Sequence, residues 1–263
     1  FTVRGIVTYG SNGIELDGAA INTGAGNISL TGDANGATVS TGIVHLTNSS
    51  LTTTSGDVTI SGLVRNLNNN GAAAVLIENG ASIQTSSGNV SISGHIRDSS
   101  TGDYVTKIFD GATIQSGGTL SISGLRGVSG RSVYLNAALE SAGALTVTGT
   151  TTNFTGILID GGALTTTASA GDVLLTANKR IALDSANVSI TASGGGDITL
   201  KSDSIQLLNS RVLTLDTTGD LTLEPNATTF GEELTFSSTA INIVSGASAK
   251  PGSLAVGNAT ITS

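Results

Sequence analysis

Apolar residues in this chain fall in short alternating pairs separated by glycine-bearing turns, and one phrase keeps returning. "GNISLTG" occupies 26–32, "GDVTISG" 56–62, "GNVSISG" 88–94, "GGTLSISG" 117–124 and "GALTVTG" 143–149. A period of two over a short run marks a strand with one buried face. In "GNVSISG" it sends Val90 and Ile92 inward and Ser91 and Ser93 outward. Gly-Asn, Gly-Asp, Gly-Gly or Ala-Gly precedes the closing strands, residues that suit a sharp corner. No segment carries a 3.6-residue period and glycine interrupts every unit, so helices are not expected.

These signals divide the chain into nine units, each an opening pair, a middle residue and a closing pair. The opening pairs are Ile14/Leu16, Val44/Leu46, a pair near Leu76, a pair near Ile108, Val133/Leu135, Ile157/Ile159, Ile181/Leu183, Ile205/Leu207 and Leu234/Phe236. The middle residues are Ile21, Leu51, Ile83, Ile114, Leu139, Leu164, Val188, Val212 and Ile241. The closing pairs are Ile28/Leu30, Val58/Ile60, Val90/Ile92, Leu120/Ile122, Leu145/Val147, Val173/Leu175, Ile198/Leu200, Leu221/Leu223 and Leu254/Val256. Successive units begin roughly 24 to 32 residues apart, too long for a hairpin and right for one turn of a three-sided parallel β-helix. Coils about 4.8 Å apart predict a rod of about 40 Å. Like side chains stack on like in a core that no single coil could bury. The runner-up is a β-sandwich, which also suits strands every 8–12 residues but leaves the three-strand unit unexplained.

Composition narrows the class. The chain has 263 residues, read as a single β-helix domain. Charged residues make up 11%, far below the typical quarter, yet β-branched residues are abundant and regular, so the chain reads as folded and not disordered. With no cysteine, no disulfide framework supports the fold, which fits export through an oxidising space. No apolar run of about 18 residues predicts a membrane span. No leader is visible at Phe1, so the chain reads as a mature or excised piece. A net charge of −8 argues against nucleic acid as the partner.

Alternating strands, Gly-Asn/Asp corners, Ser/Thr outer faces and no cysteine resemble the shafts of filamentous-haemagglutinin-type exoproteins, the large adhesins of two-partner secretion. "GDVTISG" and "GNVSISG" express the likeness best, and it extends from Gly13 to Val256. Autotransporter passenger domains share the style. The resemblance implies a right-handed β-helix, secretion through an outer-membrane transporter, display at the cell surface and attachment to host-cell or matrix glycans and proteins. The units here are longer and less regular than the short repeats of such shafts, and the secretion-signal region is not recognisable. The chain therefore reads as an internal piece of a longer fibre.

Four features carry candidate chemistry. The first four units bear extra residues after the closing strand, at 33–43, 63–74, 95–106 and 125–132, and insertions at one corner of a solenoid stack on one side. They open alike, "SGLVR" ending at Arg65, "SGHIR" at Arg97 and "SGLR" at Arg126, which predicts a column of three arginines. With Lys107 and Arg131 the segment 63–132 reaches a net +1, leaving −9 for the rest. Guanidinium forks suit carboxylate, sulfate or phosphate, so an acidic glycan is the expected ligand. The plainer reading is a solvated edge neutralised by Asp98, Asp103 and Asp110. Asp172, Asp197 and Asp220 form a second column at the corner before the closing strand, a weak calcium candidate. Ordinary turn chemistry competes, because Asn27 and Asn89 fill the same slot. No cofactor is expected.

The third feature is the outward row Ser29/Thr31, Thr59/Ser61, Ser91/Ser93, Ser121/Ser123 and Thr146/Thr148. Such a hydroxyl ladder is similar to the face of ice-binding proteins, but Ser is as common as Thr and Leu174, Lys201 and Glu224 interrupt it, so a solvated strand face is the better reading. Fourth, Tyr134, Leu158 and Ala182 are predicted to point outward from the opening strands, an apolar stripe that marks a contact surface. Its cover is either the chain's own insertions or a lateral partner. Whether Ile77 and Ile108 join it stays open, because the choice of register bears on burying Glu78 or Lys107. Seven Asn-x-Ser/Thr sequons occur, at Asn27, Asn48, Asn89, Asn153, Asn187, Asn226 and Asn258; the resemblance to large adhesins implies glycosylation at such sites, whereas a chain so rich in Asn, Ser and Thr is expected to contain many by composition, which is the favoured reading.

β-Helices also host polysaccharide lyases and hydrolases, so fold does not exclude catalysis. Arg65, Arg97, Asp98 and Asp103 are the candidates for a lyase. His45 falls on an outer opening strand and His95 in an insertion, with no Ser/Asp constellation beside them, and no phosphate loop or metal-ligand spacing appears. The sequence reads as a non-enzymatic secreted adhesin or fibre-shaft segment that binds through a rigid β-helix. A polysaccharide-processing enzyme and a purely structural shaft are the alternatives.

Overall fold

Parallel pairing with the coil above and the coil below is the organising contact of this chain. The computed structural model describes residues 1–7, 12–34, 42–65, 73–97, 104–127, 129–169, 171–184, 187–207, 212–226, 235–236, 240–244 and 254–256. They form a nearly all-β solenoid of about seven turns. The count differs slightly from nine because the last units contribute only strand segments to the described residues, such as Thr235–Phe236 and Ala240–Val244. Among the described residues no helix is long and apolar enough to cross a membrane.

The closing strands stack as the alternation predicts. Ile28, Val58, Val90, Leu120, Leu145, Val173, Ile198, Leu221 and Leu254 occupy one column. Two residues on, Leu30, Ile60, Ile92 and Ile122 form the next, with Ser and Thr between them on the outer face. The middle column holds as far as Leu164 and then differs from expectation. Ile190, Leu215 and Ile243 continue it, not Val188, Val212 and Ile241. Val188 stacks instead on Gly162, two residues earlier in the strand, and is also buried. A period of two offers both positions to the core, so the pattern alone could not choose between them.

The opening strands explain the ambiguity around Leu76 and Ile108. Pairing skips the positions of Ile43 and Ala74, and again those of Val105 and Ser132. Two successive residues therefore face inward at the same level in neighbouring coils, with no residue gained on either strand. Ile43, Ala74 and Val105 enter a second small core with Val7, Ala34, Val64 and Ile96, where the ends of the closing strands meet the starts of the opening strands, while Ser132 is buried with its hydroxyl donating to the Gly124 carbonyl. Val44, Val75 and Val133 enter the main core. Ile77 and Ile108 are fully buried there, so they do not belong to the outer stripe, and Leu76 and Lys107 take the outward row. Thr106 is buried at the cost of one satisfied hydroxyl, which donates to the Ser123 carbonyl at 2.7 Å.

Corners rest on a hydroxyl that the repeat analysis did not use. At the end of the middle strand Thr85 Oγ1 donates to the Gly88 carbonyl at 2.6 Å, and Ser116 and Ser141 donate to Thr119 and Ala144 at 2.8 and 3.1 Å. Thr53 and Thr166 make the same bond to Gly56 and Gly171. Glycine is required at Gly88 by close approach, since a Cβ there would lie 2.0 Å from the Gly56 carbonyl oxygen one coil below.

Candidate functional site

The closing strands run past the corner and deliver the arginines. Ala34, Val64, Ile96 and Arg126 are register partners, so Arg65 and Arg97 stack one residue further out. The Arg97 N–H bonds the Val64 carbonyl at 2.9 Å. "SGLR" is one residue shorter than "SGLVR", and that single residue turns Arg126 inward. It is 2% exposed, donates from Nε to the Ser129 carbonyl at 3.0 Å and packs against Gly130. The predicted column of three arginines is therefore not formed.

Arg65 is engaged as well. Its Nε and Nη2 donate to the two carboxylate oxygens of Asp33 at 3.0 Å each, a bidentate pair. The Arg65 bond holds the Asp33 carboxyl below its ordinary range against the effect of burial, with Arg4 and Arg97 adding to it. Arg97 is exposed. Burial, and secondarily Arg97, pushes the His95 imidazole down. Asp98 and Asp103 lie outside the described residues, and with them half of the lyase candidate set. Asp110 is exposed.

Lys107 and Arg131 fall on a different surface, the outer face of the opening strands. One row there reads Glu15, His45, Leu76, Lys107, Tyr134, Leu158 and Ala182. Tyr104 pairs with Arg131 in the row beside it. Of the eight aromatic residues of the chain, Tyr104, Phe109 and Tyr134 meet here. The Tyr134 ring lies 5.2 Å from both others, tilted against each, a favourable aromatic geometry. The Arg131 guanidinium sits 5.4 Å from the Tyr104 ring centre and Lys107 Nζ 5.5 Å from that of Phe109. Tyr134 donates to Asp160 Oδ2 at 2.9 Å. Burial and that bond push the phenol up to about 12. Tyr134 and Leu158 lie outward as the sequence predicts, and Ala182 shares their row but is itself buried. Tyr104, Phe109 and Asp160 were not legible as site residues. The signal that could have found them is the clustering of scarce aromatics between 104 and 134.

Asp172, Asp197 and Asp220 do stack, but their oxygens serve the backbone. Asp172 Oδ1 accepts the Asp197 N–H at 2.9 Å and Asp197 Oδ1 accepts that of Asp220 at 2.7 Å. Asn27, Asp57 and Asn89 continue the same ladder, with Asn89 Oδ1 accepting from Thr119. Among the described residues no three His, Asp or Glu side chains are arranged to hold a metal ion. The hydroxyl rows are present in the predicted register through Thr146 and Thr148; beyond them Leu174 interrupts one row before Thr199 and Thr222, and the other passes through Thr176 to the Lys201–Glu224 ion pair at 3.0 Å. His45 is largely buried between acids, with Nε2 2.7 Å from Glu78 and Nδ1 3.9 Å from Glu15. A shallow groove of about 200 Å³ crosses the middle strands over Ala138 and Ala163, flanked by Gln115, Glu140 and Thr165. Comparison with protein-family models, with curated proteins and with solved structures finds no match to this chain.

Proposed function

We propose that the chain is a segment of a secreted, surface-displayed fibre in the style of the filamentous-haemagglutinin exoproteins, and that it acts as an adhesin by holding a glycan-binding cluster on a rigid rod. The supporting observation is the cluster of half-buried Phe109, Tyr134 and Lys107 with exposed Arg131 on one outer face, packed over the buried Tyr104 ring. Sugars present an apolar C–H face to aromatic rings and hydroxyl or acidic groups to polar neighbours. A mostly aromatic surface with a few fixed polar groups suits that chemistry. Tyr104 and Phe109 lie at the two ends of one strand and Tyr134 on its partner in the next coil, so main-chain pairing holds the rings together and little ordering cost remains for binding. Host-cell or matrix glycans are the partners in this reading, and an outer-membrane transporter is the export route.

The test is binding of the purified chain to a glycan array and to cultured cells. Retention is expected, and a Phe109→Ala/Tyr134→Ala variant with an unchanged β-sheet circular dichroism spectrum should lose it. A folded wild-type chain that retains no glycan and no cell would overturn the proposal.

A further inference from the structure

Three inward columns run from one end of the described stack to the other, and every place in them is apolar. One passes along the closing strands from Val3 to Val256. Another follows the middle strands from Ile21 to Ile243. The third follows the opening strands from Leu16 to Phe236. Leu30, Leu51 and Leu46 are fully buried, each covered by the coils on both sides. Val3, Ile21 and Leu16 lie one coil earlier in the same columns and are only partly buried. The core is therefore open at this end.

The main chain is open there too. Among the described residues Thr2–Val7, Ile14–Asp17 and Ala20–Asn22 each pair with one strand only. Thr235–Phe236, Ala240–Val244 and Leu254–Val256 do the same at the other end. The Phe1 carbonyl accepts the Ser29 N–H at 2.9 Å. Main-chain groups alternate in direction along a strand, so those of Thr2, Arg4 and Ile6 point to the open side. No proline or lysine guards any of these six strands, the usual protection of an exposed edge.

A single extended peptide covers one such edge. Covering three edges and the core between them takes a coil with strands on the same three sides, and the far end of this chain is such a coil. Set one coil spacing beyond the open end, Val256 meets Val3, Ile243 meets Ile21 and Phe236 meets Leu16, so each column continues apolar on apolar. On the outer face Thr235 falls on Glu15, Asn242 on Ala20 and Ala255 on Thr2, and no like charges oppose each other. The strands keep one direction throughout, so the new pairing is parallel like the rest.

We infer that the open end is an interface for a second copy of this chain, stacked head to tail and in register so that its last described strands extend all three sides. Such a contact joins two different surfaces and does not close on itself, so it repeats into a filament. The glycan-binding cluster takes no part in it.

Light scattering of the full chain over a concentration series, with electron microscopy, tests it. The mass is expected to rise past two copies, and the rods to lengthen at constant width in whole multiples of one chain. Arg4→Pro spares the bonds to the neighbouring coil and removes an edge donor, so it should raise the concentration needed for association about tenfold or more without lowering the thermal midpoint of the dilute protein. Its other end stays competent, so a small fraction mixed into wild type should terminate growing rods and shorten them. Ile21→Lys, which sets a charge on the open core, should weaken association in the same way. A single mass at every concentration, growth that stops at two copies, bundling without lengthening, or undiminished association in both folded variants overturns the inference.

Discussion

Ile96 and Arg126 are direct partners in the parallel closing sheet, so a buried guanidinium fills the slot that Val64 and Ile96 occupy in the two coils below. The second apolar core ends at this point. Arg126 closes it by bonding the Ser129 carbonyl and lying against Gly130, and the same turn leads into Arg131 on the outer face. Arg126→Ala empties a packed site and strands a carbonyl, and should lower unfolding free energy by about 2–4 kcal/mol. Arg97→Ala, on the exposed side, should stay within about 0.5 kcal/mol. Urea denaturation of the two variants decides whether the arginines are equivalent, as a shared column requires, or not.

The Asp33–Arg65 pair should make stability depend on acid. The folded carboxyl ionises below its ordinary value near 3.8, so near that pH the unfolded chain binds more protons. The contribution is present in full above the unfolded value and drains as pH falls through the lower folded one. Arg65→Ser is expected to lower the thermal midpoint at pH 7. The gap to wild type should narrow below about pH 4 as the unfolded carboxyl protonates. A gap that is constant from pH 7 to acid removes the pair as its cause.

The aspartate column should prove indifferent to calcium. Its ladder oxygens accept N–H groups of the next coil, so Asp197→Asn, which keeps an acceptor, should be nearly neutral. Asn89→Ala should cost about 1–2 kcal/mol, because Asn89 Oδ1 accepts both the N–H and the hydroxyl of Thr119 at 2.8 and 2.9 Å. The thermal midpoint is expected to be the same in chelator and in millimolar calcium. A rise with calcium would restore Asp172, Asp197 and Asp220 as ligands.

Each corner depends on a hydroxyl and a missing side chain. Thr85→Val preserves shape but removes the bond to Gly88 and an acceptor for the Gly117 N–H at 3.0 Å, a loss of about 1–2 kcal/mol. Gly88→Ala drives a methyl into the coil below and should cost about 2 kcal/mol or more. Both act on one corner, so the double variant should lose less than the two single losses combined. Full additivity would mean that the hydroxyl and the close approach are independent.

The parts of the fold legible beforehand were those written locally. "GDVTISG" and "GNVSISG" place Val58 on Val90 and Ile60 on Ile92, and the structure keeps that register through the closing strands. "SGLVR" and "SGLR" look equally alike, yet Arg65 and Arg126 end on opposite sides of the strand. Counting back from the paired Gly62, Gly94 and Gly124 would have shown the slip, since Arg65 stands three places on and Arg126 only two. The aromatic cluster was harder. The alternation marks Tyr134 but not Tyr104, because the two successive inward residues Val105 and Thr106 interrupt the period of two between Tyr104 and the outward row.

Alternation and the recurring corner by themselves determined that this chain makes strands, that they stack in parallel coils and which aliphatic groups share the main core. Those are properties of segments a few residues long, repeated. The inward turn of Arg126, the gathering of three rings around Tyr134 and the employment of the aspartate oxygens were decided only by the tertiary structure. Each depends on register between coils some 24 to 32 residues apart, where a slip of one position moves a side chain from solvent to core.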